Sequence, residues 1–243
     1  MDYFSQRSVI VHTTKLAYIN WMEPNGKIAI ILGATGLTGG ILLRQLLNDE
    51  RYIEIKLFSR SSIGFEHPKI TEFLVDLFDF EAFQKKFKAN VLFCCIGTTA
   101  SKTSDKELYR KIDYGIPLEA AKTAKRNGIA SFLVISAMGA NPKSTIFYNR
   151  IKGEMEREVL DVSISKTHIL QPALIGGTRN ESRTGEWIFK QVMKLIDPIL
   201  IGGLKKYKSI RPEKIAKAMV WLDNHNYKRI RVPSDELQKL GDR

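Results

Sequence analysis

The chain has 243 residues, of which 44% are hydrophobic, and it carries a formal net charge of +12. A chain of this length can bury roughly 70–75% of the surface that it exposes when unfolded, so core size does not constrain the fold. No apolar stretch is long enough to span a bilayer, and we therefore expect no membrane span.

Residues 1–21 are predicted to be an extension or a misassigned start. They lack the apolar region and the small-residue cleavage site that mark a secretory signal. Met22 lies just before the first predicted strand, so the alternatives are translation from Met22 and a disordered leader.

Short apolar runs alternate with helical patterns from Lys27 onward. Because the runs are continuous rather than alternating, their strands are expected to be buried on both faces. We therefore predict an α/β fold in which a Rossmann-type, doubly wound parallel sheet forms the NAD(P)-binding domain over residues 22–177. The predicted strands are Lys27–Leu32, Ile53–Phe58, Ile70–Val75, Val91–Ile96, Ser131–Ile135, Thr167–Leu170 and Arg229–Val232. The predicted helices are Ile41–Leu47, Phe80–Lys88, Lys106–Asn127, Ile146–Leu160, Glu186–Ile196 and Glu213–Leu222.

The pattern changes after Gly177, and residues 178–243 are predicted to form a small substrate-side lobe packed on the sheet domain. From Ile201 onward there are eleven Lys or Arg against five Asp or Glu. A basic patch can attract nucleic acid, an anionic membrane or a phosphorylated ligand. No nucleic-acid signature accompanies this one, so a solvated basic surface is favoured and nucleic acid is not expected as a partner. The densest part of the patch is Lys205, Lys206, Lys208 and Arg211.

Cys94 and Cys95 are adjacent in a predicted buried strand. Neighbours along a strand are poorly placed for a disulfide, so both thiols are expected to be reduced. We therefore predict a cytoplasmic protein. The four histidines are scattered without metal-ligand spacing, and no metal site is predicted.

A glycine-rich turn follows the first strand, with glycines at 33, 36 and 39. Gly33 and Gly36 leave room for a pyrophosphate to approach the backbone, and Gly39 lets the next helix pack closely on the sheet. The N-terminus of that helix offers unpaired N–H groups and a positive dipole end to the phosphates. Glycine turns also join ordinary strands and helices, but the βαβ context favours nucleotide binding. Contacts to the dinucleotide are predicted for Gly33, Thr35, Gly36, Leu37 and Gly39.

The second strand ends at Ser59 and Arg60, the position that distinguishes NAD from NADP. A carboxylate there binds a free ribose 2′-hydroxyl, whereas an arginine accommodates a 2′-phosphate. Arg60 and its hydroxyl neighbours favour NADP(H). The alternative is an exposed loop arginine without this role.

Tyr148 lies twelve positions after Ser136, and Lys152 follows Tyr148 four residues later on the same predicted helix. Residues at this spacing share one helix face, so the Lys152 ammonium can lie beside the phenol and favour its ionised form. A second match, Tyr52 and Lys56, lies in a predicted strand, where four residues span about 13 Å. Taken one at a time, Ser136, Tyr148 and Lys152 could each have an ordinary structural role. Because they occur together after a predicted nucleotide-binding turn, they indicate an active site.

These features resemble the atypical short-chain dehydrogenase/reductases, in particular the NAD(P)H-binding proteins of the Tat-interacting protein group. The resemblance implies hydride transfer between a nicotinamide and a carbonyl or alcohol carbon, with Tyr148 moving the proton of the oxygen. It also implies that Lys152 holds the nicotinamide ribose and that Ser136 hydrogen-bonds the developing oxyanion. The matching segments are Gly33–Gly40, Asp76–Leu77, Cys95–Thr99, Ile135–Ala140, Tyr148–Glu154 and Gln171–Arg183. The cofactor contacts that the resemblance adds are Asp76 and Leu77 at the adenine, Gly97 and Thr98 along the dinucleotide, and Pro172.

The chain departs from this pattern at two positions. Asp113 occupies the stretch where many family members carry an Asn that completes a tetrad, and Gln171 stands where an Arg is expected before the proline. The first departure concerns proton relay, and the second concerns contacts to the substrate.

The predicted function is an NADP(H)-dependent oxidoreductase acting on a small carbonyl or alcohol substrate. Two alternatives stay open: an NADP(H)-binding regulatory or sensor protein with little turnover, and a nucleotide-sugar epimerase or dehydratase. A homodimer is kept as an alternative to the monomer. Arg179 and Arg183 hint at an anionic substrate group.

Overall fold

The computed structural model describes residues 26–99, 102–173, 175 and 208–243. These residues form a seven-stranded parallel sheet in the order β3-β2-β1-β4-β5-β6-β7, which confirms the predicted doubly wound architecture. The strand order reverses between β1 and β4, and in such sheets ligands bind in the crevice outside the carboxyl ends of the strands at this point. The strands are β1 (Lys27–Leu32), β2 (Tyr52–Ser59), β3 (Ile70–Leu74), β4 (Val91–Cys94), β5 (Ser131–Ile135), β6 (Lys166–Gln171) and β7 (Arg231–Pro233).

Helices cover both faces of the sheet and enclose two separate hydrophobic cores. The first core lies under α1, α5 and α6, and the second lies under a 3₁₀ helix, α3 and α4. The helices are α1 (Leu37–Leu47), the 3₁₀ helix (Glu81–Lys86), α2 (Lys106–Arg110), α3 (Ile116–Arg126), α4 (Phe147–Asp161), α5 (Pro212–Asn224) and α6 (Ser234–Leu240).

The helix predicted at Phe80–Lys88 is a shorter 3₁₀ helix. The tilted rings of Phe80 and Phe83 have their centroids 5.0 Å apart, and the ring centroids of Phe87 and of Phe58 on β2 are also 5.0 Å apart. The i,i+3 spacing of the first two rings suits three residues per turn, so aromatic packing on the sheet accounts for the tighter helix.

The helix predicted at Lys106–Asn127 is interrupted by a π-helical segment, Lys111–Gly115, between α2 and α3. Pro117 follows this segment and has no N–H to donate to the carbonyl of Asp113, so the regular i→i−4 bond is missing there. The wide turn buries Asp113. An ionisable side chain is thereby brought into the interior next to the crevice.

Residues 208–243 contribute β7, α5 and α6 to the same sheet and hydrophobic core as the residues before them. β7 pairs with β6 in parallel, and α5 packs against α1 in the first core. An isolated parallel bridge joins Ile175 to Ile210 and ties the beginning of this region to the end of β6. The short helix α6 was not predicted.

Several predictions fall outside the residues described. These are the extension at residues 1–21, the helix at Glu186–Ile196, Lys205 and Lys206 of the basic patch, and Arg179 and Arg183. The domain division at residue 177 therefore stays a prediction. No helix in the described ranges has the length and apolar character needed to cross a membrane.

Candidate functional site

The turn between β1 and α1 is built around backbone contacts that only glycine allows. Gly33 has a φ of +86°, and its carbonyl accepts from the Gly36 N–H at 3.0 Å. A Cβ at Gly39 would lie 2.1 Å from that carbonyl oxygen, and a Cβ at Gly33 would lie 2.9 Å from the Cys95 carbonyl. Thr35 and Gly36 are exposed at the tip of the turn. The N-terminus of α1 follows directly on this turn, an arrangement that fits a pyrophosphate.

The loop after β2 presents Arg60 to solvent. Ser59 is buried, and its hydroxyl donates to the Ser61 carbonyl at 2.8 Å. Glu72 of β3 holds the same loop, accepting from the Ser62 hydroxyl at 2.7 Å and from the Ile63 N–H at 2.9 Å. The Arg60 side chain is therefore carried by a fixed loop at the carboxyl end of β2.

The two residues after β3 that were predicted to flank the adenine have different surroundings. Asp76 is exposed, and its carboxylate accepts from the Phe78 N–H at 2.9 Å. The Leu77 side chain is buried in the second core. With 5% of its surface exposed, Leu77 offers little area for an adenine contact.

Lys152 is almost completely buried, with 3% of its surface exposed, and it forms an ion pair with Asp113. The Lys152 Nζ lies 2.9 Å from the Asp113 Oδ1, while the Asp113 Oδ2 accepts from the Thr98 N–H at 2.7 Å. A Cβ at Gly97 would lie 3.5 Å from the Asp113 carboxylate and 3.8 Å from the Lys152 Nζ. The loop after β4, the π-helical segment and α4 therefore meet at one charged pair.

Burial alone lowers the pKa of the Lys152 ammonium, but Asp113 and then Tyr148 more than offset this effect, and the net shift is upward. Lys152 is consequently a permanent cation near neutral pH. Its charge is compensated by Asp113 at close range, so the phenol of Tyr148 senses a pair rather than an isolated cation.

Tyr148 lies on the wall of a cavity of about 950 Å³ and is 38% exposed. The predicted site residues Thr98, Ser136 and Pro172 contribute to the same wall. The Tyr148 side chain thus faces the crevice at the carboxyl ends of β4, β5 and β6. The cavity lining comprises Thr98, Thr99, Thr103, Ser104, Lys106, Tyr109, Ser136, Ala137, Met138, Gly139, Ile146, Phe147, Tyr148, Pro172, Ala173 and Ile175.

The hydroxyl of Ser136 has a partner other than the predicted oxyanion. It donates to the Glu156 carboxylate at 2.6 Å. Glu156 is 2% exposed and lies one helical turn after Lys152 on α4. In the structure Ser136 therefore anchors α4 to the end of β5.

Gln171 and Arg231 complete the binding of this buried carboxylate. The Gln171 Nε2 lies 2.9 Å and 3.1 Å from the two Glu156 oxygens, and the Arg231 Nε donates at 2.7 Å. Arg231 lies on β7, opposite Ile169 of β6. Gln171, which stands where an Arg was expected before the proline, and Arg231 of the neighbouring strand thus bind the same carboxylate.

Sequence reasoning missed Glu156, Arg231 and Tyr109 as members of the site. The signal for Glu156 was its i,i+4 relation to Lys152, whereas the other two are joined to the site only by the fold. Tyr52 and Lys56, the second pair with this spacing, have separate partners, as expected for residues of a strand. The Tyr52 hydroxyl donates to Asp223 at 2.7 Å, and Lys56 donates to the Lys88 carbonyl. Across the described ranges, no group of three or more His, Cys, Asp or Glu side chains has an arrangement suited to a metal ion.

Comparison with known proteins links this site to cofactor binding. A family model described as NAD(P)H-binding matches residues 33–172. Protein HTATIP2 of Rattus norvegicus is 31% identical over 169 residues, which cover 68% of this chain and 69% of that protein. Protein fmp52, mitochondrial, of Aspergillus niger is 31% identical over 199 residues, covering 78% and 84%.

Solved structures share the fold at low identity. UDP-N-acetylglucosamine 4-epimerase from Methanobrevibacter ruminantium M1, in complex with UDP-N-acetylmuramic acid, superposes with a TM-score of 0.64 at 17% identity, covering 88% of this chain and 81% of the enzyme. The enzyme WbmG of Bordetella bronchiseptica, in complex with NAD, gives a TM-score of 0.56 at 14% identity; the match covers 71% of this chain and 61% of WbmG. The chain belongs to the NAD(P)H-binding proteins of the atypical short-chain dehydrogenase/reductase group.

Proposed function

We propose that the protein is an NADP(H)-dependent oxidoreductase that interconverts a carbonyl compound and its alcohol. The observation that carries the proposal is the position of Tyr148 on the cavity wall, one helical turn before the buried Lys152. A phenol near a permanent cation and open to a cavity suits proton transfer to or from a substrate oxygen.

Different residues at the crevice would bind different parts of the dinucleotide. The backbone of the Gly33–Gly40 turn would hold the pyrophosphate, Asp76 and the Leu77 backbone would flank the adenine, and Gly97, Thr98 and Pro172 would lie along the remainder. The chemistry that the cofactor supplies when bound is a hydride for the carbonyl carbon. In reduction Tyr148 donates its proton to the carbonyl oxygen, and in oxidation its phenolate accepts a proton from the alcohol.

The preference for NADP(H) is proposed from Arg60. Its guanidinium stands at the carboxyl end of β2, on a loop held by Glu72. Flanked in the chain by Ser59 and Ser61, it suits a 2′-phosphate, which a planar guanidinium binds through charge-assisted hydrogen bonds.

The cavity wall favours a substrate with an apolar body. Carbon-rich side chains dominate the part of the wall that the structure describes, and hydroxyl groups occupy the side near Thr98. Lys106 is exposed at the same wall, with its ammonium 5.9 Å from the centroid of the Phe147 ring, and it can meet an anionic group at the mouth. These features fit an apolar carbonyl compound better than a nucleotide sugar. The apolar contributors are Ala137, Met138, Ile146, Phe147, Pro172 and Ile175.

The test is single-turnover oxidation of protein-bound NADPH with a panel of aldehydes and ketones. We expect Tyr148→Phe to abolish oxidation while it leaves NADPH binding, followed by fluorescence, within about twofold of the wild-type value. Tyr227→Phe, a tyrosine hydrogen-bonded to Glu236 on α6, is the matched control and should keep full activity. Full activity in Tyr148→Phe would refute the assigned role.

A second candidate function is an NADP(H)-binding sensor with little turnover. It is favoured by the Asp113–Lys152 ion pair, because a compensated cation does less to activate the phenol. Tight NADPH binding without oxidation by any carbonyl of the panel would support this candidate over the first.

The predicted cytoplasmic setting is also kept as a proposal. Several relatives are named as mitochondrial, among them protein fmp52 of Aspergillus niger. Cell fractionation of the full-length protein distinguishes the two compartments, since co-sedimentation with mitochondria would exclude the cytoplasm.

A further inference from the structure

The site contains a second tyrosine, Tyr109, on the wall that also carries Tyr148. A reacting carbonyl oxygen that gains negative charge needs hydrogen-bond donors besides the group that protonates it. The Ser136 hydroxyl, which was expected to fill this role, is committed to the Glu156 carboxylate at 2.6 Å. Another donor on the cavity wall is therefore required.

Tyr109 is fixed in place by packing and by its helix. Asp105 caps α2, and its backbone carbonyl accepts from the Tyr109 N–H at 2.9 Å. The Tyr109 ring meets the edge of the Phe147 ring at 5.6 Å, next to Tyr148 in the chain. Only 5% of the Tyr109 surface is exposed, although the residue lines the cavity.

The hydroxyl of Tyr109 belongs to the cluster that surrounds Lys152. It donates to the Thr98 carbonyl at 3.4 Å, while the Thr98 N–H donates to Asp113, which pairs with Lys152. A hydroxyl bond of 3.4 Å is long compared with the usual 2.7–2.8 Å, so it is easily exchanged for a stronger acceptor. A developing oxyanion in the cavity is such an acceptor.

The surroundings of Tyr109 hold its hydroxyl in the protonated form. Burial, Asp113 and then Tyr148 all raise the pKa of the Tyr109 hydroxyl. The two phenols therefore suit different tasks: one exchanges a proton with the substrate and the other stays a donor.

We propose that Tyr109 is a catalytic residue that donates a hydrogen bond to the substrate oxygen beside Tyr148. The assignment rests on the proposed oxidoreductase function. In reduction the carbonyl carbon gains a hydride, the electron pair of the carbonyl bond moves to oxygen, and that oxygen takes its proton from Tyr148. Tyr109 stabilises the charge on the oxygen and transfers no proton.

The proposal is tested by Tyr109→Phe, which removes the hydroxyl and keeps the ring that packs on Phe147. We expect kcat/KM for NADPH-dependent reduction to fall roughly a hundredfold, as for the loss of one oxyanion donor. NADPH binding should stay within about twofold of the wild-type value. Tyr114→Phe is the control and should keep the wild-type kcat/KM. Tyr114 lies in the adjoining π-helical segment, and its ring contacts the Arg110 guanidinium.

The pH profile of kcat/KM separates a donor from an acid. In Tyr109→Phe the acidic and basic limbs of this profile should stay at the same pH while the maximal kcat/KM falls, because Tyr148 remains the titrating group. A lost limb would overturn the assignment, since Tyr109 would then be the proton donor. Wild-type kcat/KM in Tyr109→Phe, with activity abolished in Tyr148→Phe, would overturn this proposal alone. No turnover by the wild-type protein with any carbonyl would overturn the proposed function as well.

Discussion

The Asp113 carboxylate lies 2.9 Å from the Lys152 ammonium, and both side chains are almost completely buried. Asp113 stands in the stretch where an uncharged Asn was expected. The same carboxylate accepts from the Thr98 N–H, so it fixes the loop after β4 relative to α4. The Asp113 side chain therefore both compensates the charge of Lys152 and fixes the position of the loop after β4.

Replacing Asp113 with Asn should move the basic limb of the pH–activity profile to lower pH. Asp113 helps to raise the pKa of Lys152, so Lys152 loses its proton more readily without it. We expect a downward shift of roughly one pH unit or more, since a charge close to a titrating group moves its pKa by about 1–3 units. Asp161→Asn on the same helix is the control; an equal shift in both variants would contradict this account.

Removing the guanidinium of Arg231 should destabilise the protein although the residue is half-exposed. Arg231→Gln leaves the buried Glu156 charge with only the neutral donors Ser136 and Gln171. Stranding a buried charge costs about 3–5 kcal/mol, and we expect the low end of this range because the neutral donors remain. Urea unfolding measures the difference.

Arg229→Gln is the matched control for this change. Arg229 lies two residues earlier and pairs with Glu236 at the surface, with 57% of its side chain exposed. Exposed pairs contribute about 0–1 kcal/mol, so this variant should unfold near the wild-type midpoint. An equal loss of unfolding free energy in Arg231→Gln and Arg229→Gln would show that the contact with Glu156 does not explain the destabilisation.

Gly39→Ala should disrupt the cofactor turn. The new Cβ would lie 2.1 Å from the Gly33 carbonyl oxygen, so the backbone of the turn must shift. We expect a loss of about 1–3 kcal/mol of folding free energy and a Kd for NADPH raised at least tenfold. Gly115→Ala, where no atom lies within 4 Å of the new Cβ, should change stability by less than about 1 kcal/mol. Unaltered NADPH binding in Gly39→Ala would argue against this turn as the pyrophosphate site.

Arg60→Ala should weaken NADPH binding selectively. A charge-assisted hydrogen bond is worth about 1.5–3 kcal/mol, which corresponds to a roughly 10- to 100-fold rise in the Kd for NADPH. The Kd for NADH should stay the same, since that cofactor has no 2′-phosphate. Arg51→Ala at the opposite end of β2, where Arg51 pairs with Asp49, is the control. Equal weakening of both cofactors would rule out a 2′-phosphate contact.

His168 should make stability depend on pH on the acidic side of neutrality. Burial lowers the pKa of His168 below its usual 6.5, and its Nε2 is buried without a partner among the residues that the structure describes. Between the lowered pKa and 6.5 the unfolded chain binds more protons, so stability is complete above about pH 6.5 and is lost as pH falls, by at most about 1.4 kcal/mol per pH unit. His168→Asn should flatten this slope in urea unfolding, whereas exposed His225→Asn should keep it; the same slope in all three proteins would exclude His168.

The sequence predicts the sheet well because its strands are continuous apolar runs that end at polar turns. Ser131–Ile135 is predicted with the observed bounds, and Lys27–Leu32 likewise. The π-helical segment Lys111–Gly115 is missed because one wider turn leaves no periodic signal. The seven-residue helix α6 is missed because it is too short to show an apolar stripe.

The candidate site is only partly predictable for a different reason. Tyr148 and Lys152 share one helix, so their relation follows from spacing alone. The partner of Ser136 comes from another element, twenty positions later, and Arg231 reaches Glu156 only because β7 pairs beside β6. Contacts of this kind are set by topology, which no local pattern contains.

The bridge between Ile175 and Ile210 brings the two ends of the intervening stretch together at the edge of the crevice. Residues 176–207 therefore start and finish at neighbouring points of the fold, so a change in their number need not displace β6 or α5.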